Sequence, residues 1–181
     1  MTPFQILIDK VQKGANPYTS FPASDWGGVW YGDPGAKREI FAQCIDHTNP
    51  GLIIEVGSFV GESAIHMAKL IKEQKRECAI LCVDTFYAGF DHYLGAPEKI
   101  NMHFGRSDLF YRFMANVIVN GCQDVIVPFA MDSINAARVI KWLALVPGLL
   151  YIDASHEKGD VLRDYLAYWD LLPSGSGMLV D

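Results

Sequence analysis

No apolar run in the sequence approaches the ~18 residues that a membrane-spanning helix needs, so neither a transmembrane segment nor a membrane partner is expected. Cysteine is scarce. Cys44, Cys78, Cys82 and Cys122 form no C-x-x-C pair, which makes a thiolate metal centre or a disulfide the weaker reading. They read as small buried hydrophobes in a reducing compartment. Positive charge is in deficit, with 15 Lys and Arg against 21 Asp and Glu, a net charge of -6. That balance argues against a nucleic-acid partner, which calls for a basic face. The N-terminus lacks the basic start, apolar stretch and small-residue cleavage site of a signal peptide, so a cytoplasmic location is the default expectation. The G-x-G-x-x-G fingerprint of dinucleotide-binding turns is missing as well.

What the chain does have is core-forming material: 50% of its residues are hydrophobic and 20% are charged. Such a composition supports one packed domain and not a disordered chain. Residues 1–33 read as an N-terminal helix, over 1–13, followed by an irregular flap rich in Gly, Pro, Ser and aromatics. Residues 34–181 read as an alternation of strands and helices. Asp33-Pro34 supplies an N-cap and a first-turn proline for a helix to about His47, burying Ile40, Phe41, Cys44 and Ile45. Apolar strands are expected from Leu52 to Glu55 at the first strand's end, and at 79–83, 125–129, 149–152 and 178–180. Helices follow over 62–74, from Ser107 or Asp108 to Asn120-Gly121, from Asp132 or Ser133 to about Leu145, and over 160–172. The last is expected to bury Val161, Leu162, Tyr165, Leu166 and Trp169. Pro128 suits an edge strand. The alternation predicts an α/β fold, a Rossmann-like parallel sheet with helices on both faces and right-handed crossovers.

Ligands of such sheets bind beyond the carboxyl ends of the strands. Four predicted strands end on acids: Glu55, Asp84, Asp153 and Asp181. The first strand runs into Glu55-Val56-Gly57-Ser58-Phe59-Val60-Gly61-Glu62-Ser63, an acid followed by a G-x-x-x-G turn into a helix. Gly57 lets backbone approach a ligand, and Gly61 relieves crowding between loop and helix. Asp84 stands 29 positions after Glu55 and can take the two hydroxyls of a ribose, or simply cap its loop. Asp132-Ser133 can meet an adenine amino group or serve as a plain N-cap. Asp153 and Asp181 offer hard oxygen ligands for Mg²⁺ or another divalent ion, which would lower the pKa of a bound hydroxyl. His156, three residues past Asp153, can take a proton at neutral pH or lie on a surface loop. The stretch 85–104 is long for a connection and aromatic. With the Trp26–Tyr31 segment it is a candidate lid.

Taken together, the Glu55–Ser63 motif, Val83-Asp84-Thr85, Tyr151-Ile152-Asp153-x-x-His156 and Gly177-Met178-Leu179-Val180-Asp181 resemble class I S-adenosylmethionine (SAM) dependent methyltransferases. They look most like the metal-dependent small-molecule O-methyltransferases of the macrocin O-methyltransferase type, with catechol O-methyltransferases more distant. The resemblance spans about residues 34–181. It implies that the acid Glu55 and the glycines Gly57 and Gly61 hold the methionine part of SAM and that Asp84 holds the ribose, with Ser58, Ser63 and Thr85 beside them in the cofactor set. Asp132 and Ser133 complete the expected cofactor set. It further implies Asp153 and Asp181 as metal ligands, with Asp153 and His156 catalytic and His156 the base for a small-molecule acceptor. Glu157-Lys158-Gly159 depart from the aromatic residue that usually follows the histidine. The sequence stops on the fifth-strand acid where the family fold has two further strands. A sheet truncated after strand five is therefore expected, its edge open to a missing segment or to a second copy in a homo-oligomer. Two rival readings remain: an NAD(P)-dependent oxidoreductase on a similar sheet, and a non-catalytic module of the same fold that only binds a partner.

Overall fold

The strands are short because each needs only to cross the core once. The computed structural model describes residues 1–26, 36–87, 89, 100–155, 157 and 159–181. In chain order its strands are β1 (Leu52–Val56), β2 (Ala79–Asp84), β3 (Met102–His103), β4 (Arg106–Ser107), β5 (Ile126–Ala130), β6 (Leu149–Ile152) and β7 (Gly177–Val180). Its helices are α1 (Pro3–Lys10), α2 (Ala36–Thr48), α3 (Glu62–Glu73), α4 (Leu109–Val119), α5 (Ser133–Trp142) and α6 (Asp160–Trp169). Five strands form one sheet in the order β5-β2-β1-β6-β7, and every pairing in it is parallel. β1 and β6 are buried along their whole length, as strands covered on both faces must be. β3 and β4 form a small antiparallel pair, β3 at the end of the stretch 85–104 expected to be a loop and β4 just beyond it.

Strand side chains alternate between the two faces, and the core divides accordingly. Ile53, Ile80, Cys82, Ile126, Leu149 and Tyr151 pack with Phe41 and Ile45 of α2, Ala64, Ile65, Ala68 and Ile71 of α3, and Phe113 of α4. Ile54, Leu81, Val83, Val127, Leu150 and Ile152 pack with Leu7 and Ile8 of α1, Ile140 of α5 and Tyr168 of α6. The N-terminal helix therefore lies on the sheet. A fully buried side chain of this size contributes roughly 1.5–3 kcal/mol. Pro128 sits on β5, which pairs only with β2 among the described residues, and an edge position suits a residue with no N–H to give.

Two expected helix faces are corrected. Ile40 is exposed on α2, and Cys44 is only partly buried. On α6, Leu162, Leu166 and Trp169 are 59%, 61% and 53% exposed. That helix buries Asp164 and Tyr168 instead. The Tyr168 hydroxyl donates to the Ser133 carbonyl at 3.0 Å, so α6 is aimed by its contact with the start of α5. Its regular turns stop at Trp169, short of the expected end. The start of α2 at Asp33-Pro34 lies outside the described residues, as do Trp30, Tyr31, Phe90, His92 and Tyr93 of the candidate lid.

Candidate functional site

Register brings Asp84, Asp153 and Asp181 level with Gly57, one residue past Val56, and sets Glu55 two residues deeper in the sheet. Glu55 pairs with Cys82 on one side and Tyr151 on the other, and Tyr151 pairs with Leu179. The ladder continues past the strands, with the Asp153 amide donating to the Val56 carbonyl at 2.8 Å and the Asp181 amide to that of Ile152 at 3.0 Å. A cavity of about 480 Å³ opens above this rim. Gly57, Asp84, Thr85, Asp132, Ser133 and Asp153 line it, together with Asp164.

Gly57 is the joint beneath that cavity. Its φ is +90°, and a Cβ there would stand 2.1 Å from the Asp153 carbonyl oxygen. The backbone that approaches it so closely is that of Asp153-Ala154, the start of the segment joining β6 to α6. Gly61, with φ +89°, is the N-cap of α3, and a Cβ there would press on the Phe113 ring at 3.0 Å. It relieves crowding against the helix, as its spacing suggested.

The Glu55 side chain is fully buried and is not among the cavity-lining residues. Its carboxyl accepts a short hydrogen bond from the Ser63 hydroxyl and one from the Cys82 thiol at 3.5 Å. Burial raises its pKa to about 7, against the lowering effect of Ser58, Ser63 and Cys82 beside it. The same burial pushes the Cys82 thiol well above its usual value. Glu55 thus ties β1 and β2 to the first turn of α3. Ser58 and Ser63 lie away from the cavity with it.

Asp84 spans two loops, accepting from the Phe59 amide at 2.8 Å and the Phe86 amide at 2.6 Å. Asp132 caps α5, accepting from the Asn135 amide at 3.0 Å and from its side-chain amide at 2.8 Å. The Asn135 amide holds the Asp132 carboxyl below its ordinary pKa. The Ser133 hydroxyl donates to Asp164 in a short hydrogen bond. Both groups of the Asp132-Ser133 pair therefore reach the cavity wall already hydrogen-bonded within the protein.

Beyond β6 and β7 the arrangement changes. Asp153 follows β6 directly, two residues after Tyr151, and extends the strand's alternation so that the two side chains share a side. The one Tyr151 hydroxyl proton has two acceptors in reach, Asp153 at 2.8 Å and Asp181 at 3.2 Å. Burial and the hydrogen bond to Asp153 raise its pKa far above that of an ordinary tyrosine. Between the carboxylates comes the ammonium of Lys37, from the first turn of α2. It makes a short hydrogen bond to Asp181 and stands 3.6 Å from Asp153 and 3.4 Å from the Tyr151 hydroxyl. The bond to Asp181 raises the Lys37 pKa. Lys37 drew no expectation from sequence, and Tyr151 appeared there only as the first residue of the Tyr151-Ile152-Asp153-x-x-His156 motif, with no role. The two-residue spacing from Asp153 could have drawn attention to Tyr151, whereas nothing local marks a lysine that reaches across more than a hundred residues of chain.

The expected metal site meets a difficulty here. A divalent ion takes six or more oxygen ligands, or keeps several waters. No group of three or more His, Cys, Asp or Glu side chains that could hold a metal ion occurs among the described residues. The two carboxylates instead share an ammonium, so the described residues do not fit a divalent ion as they stand. His156, the expected base, lies outside the described residues.

Solved structures share the fold. An O-methyltransferase from Streptomyces achromogenes involved in tomaymycin synthesis, TomG, determined with SAM, superposes with a TM-score of 0.61 at 13% identity over 96% of this chain and 65% of that one. Cofactor-bound Rv0187 from MTB gives 0.61 at 15% identity over 97% and 69%. An O-methyltransferase from Bacillus cereus, determined with SAH, gives 0.57 at 12% identity over 99% and 72%. The chain spans 65–72% of the length of these structures. A search of curated proteins returns no match. A family profile described as a methyltransferase domain matches residues 54–181, the stretch that holds the whole strand-end rim. The chain belongs to that methyltransferase-domain family.

Proposed function

We propose that the protein transfers the methyl group of SAM to a hydroxyl oxygen of a small molecule. The observation that carries this is where the cavity lies. From β1 the chain turns one way to β2 and β5, then the other way to β6 and β7. Gly57 and Asp153, which follow the two strands flanking that reversal, both line the cavity. Ligands of open parallel sheets bind at such a switch point. TomG and the Bacillus cereus enzyme were determined with SAM and SAH, which favours the same cofactor here.

In this reading the Gly57 loop faces the methionine part, Asp84 with Thr85 the ribose, and the Asp132-Ser133 turn the adenine. Glu55 acts from beneath by fixing the loop. The acceptor lies toward Asp153, Tyr151 and Lys37, with His156 taking its proton. The sulfonium already makes the methyl carbon electrophilic. The protein's task is then to hold the acceptor oxygen in line, about 3–3.5 Å away, and to exclude water.

The test is transfer of labelled methyl from SAM to a panel of phenols, catechols and sugars, with Asp153→Asn as control. Labelled ether product that falls by about a hundredfold or more in the variant supports the reading. A folded protein that binds SAM and methylates none of them contradicts the hydroxyl assignment.

A further inference from the structure

We infer that the Lys37 ammonium is the resident cation of the Asp153–Asp181 pair, seated where a divalent ion would otherwise bind. Three observations converge. First, a lysine ammonium has three N–H donors, and three oxygens surround this one: those of Asp181, Asp153 and Tyr151. Second, Lys37 lies in the first turn of α2, where the helix dipole disfavours a cation. Its own helix does not account for the placement, and the carboxylates do. Third, the carboxylates come from the ends of adjacent strands and share one Tyr151 hydroxyl, so they are held together as a unit.

Two carboxylates this close repel one another unless a cation lies between them. Lys37 supplies the charge from within the chain. It also ties the start of α2 to the ends of β6 and β7, so it acts on an acceptor by positioning Asp153. Replacing its ammonium with a neutral group leaves two hard oxygen donors and the charge of a divalent-ion site.

The inference concerns the acceptor end of the proposed site. Its test reads the cation seat alone, so its failure and that of the methyl-transfer reading are separately visible. Mn²⁺ is titrated into the full chain and followed by electron paramagnetic resonance. The wild-type protein is expected to show no saturable Mn²⁺ binding at millimolar concentrations. Lys37→Gln is expected to bind at least about tenfold more tightly, and to lose that gain when Asp153→Asn is added. Lys37→Arg, which keeps the charge, is expected to exclude the ion as the wild type does. The idea is overturned if wild-type protein binds Mn²⁺ as tightly as Lys37→Gln and loses it in Asp153→Asn. It is equally overturned if folded Lys37→Gln gains no binding. Should Lys37→Gln fail to fold, wild type against Asp153→Asn still decides: site-specific binding refutes the seat, and its absence supports it.

Discussion

The two ends of the strand-end rim hold their acids differently. Over β1 and β2, Glu55 and Asp84 accept from hydroxyl, thiol and amide groups, which are neutral donors. Over β6 and β7, Asp153 and Asp181 share the charged Lys37. Neutral donors fix loop geometry and move little with salt. A half-exposed ammonium between partly exposed carboxylates adds field and screens readily. The first end is built as a rigid socket, and the second as an electrostatic seat. Gly57 is the point at which they touch.

The largest effect is expected at that joint. Gly57→Ala places a Cβ 2.1 Å from the Asp153 carbonyl oxygen at a φ of +90°. Chemical denaturation should show a loss of about 3 kcal/mol, because the loop from β6 must shift and the residue is strained besides. A variant as stable as wild type would mean that the two ends are not in contact.

Next comes the pH dependence of the socket. The Glu55 pKa is raised from 4.5 to about 7 in the folded state, so the folded protein holds the proton more tightly than the unfolded chain. Its contribution is fully present below pH 4.5 and is lost as pH rises through about 7. Against Glu55→Gln, which cannot titrate, wild-type protein should lose up to about 3 kcal/mol across that window. Parallel stability curves would show that Glu55 is not buried as described.

The seat should behave in the opposite way. Lys37→Gln is expected to cost less than about 1 kcal/mol, since the ammonium is half exposed and screened by solvent. The difference should shrink further in 1 M salt, where the Debye length is about 3 Å. A larger, salt-insensitive loss would make Lys37 a structural anchor and erase the contrast between the ends.

The smallest effect concerns α6. Leu166→Gln should change stability by no more than about 0.5 kcal/mol, because Leu166 faces outward. That residue also shows where the sequence misleads. Leu162, Leu166 and Trp169 fall at helical spacing, yet they are exposed, while Asp164 and Tyr168 go inside. A stripe says that a face exists but not which neighbour turns the helix, and here Ser133 does so through Tyr168 and Asp164. The sheet was far more legible. Its strands are largely apolar runs, interrupted in β1 by Glu55, and their parallel pairing follows from alternation with helices, whereas the order β5-β2-β1-β6-β7 does not. The site was legible in part. Gly57, Asp84, Asp132 and Asp153 line one cavity, whereas Glu55, Ser58 and Ser63 support it from below. Strand-end position predicts which acids crowd together. It does not report what neutralises them, so Lys37, a long-range partner, emerges only from the fold.

The most direct test of the central claim is calorimetric titration of S-adenosylhomocysteine into wild-type protein and Asp84→Asn, with unfolding of both followed in parallel. Saturable binding on the order of micromolar is expected of the wild type. Asp84→Asn should bind roughly ten- to a hundredfold more weakly, the loss of a hydrogen bond to a charged group. A folded wild-type chain that gives no heat of binding, or that binds equally well with Asp84→Asn, would contradict the cofactor assignment of this cavity.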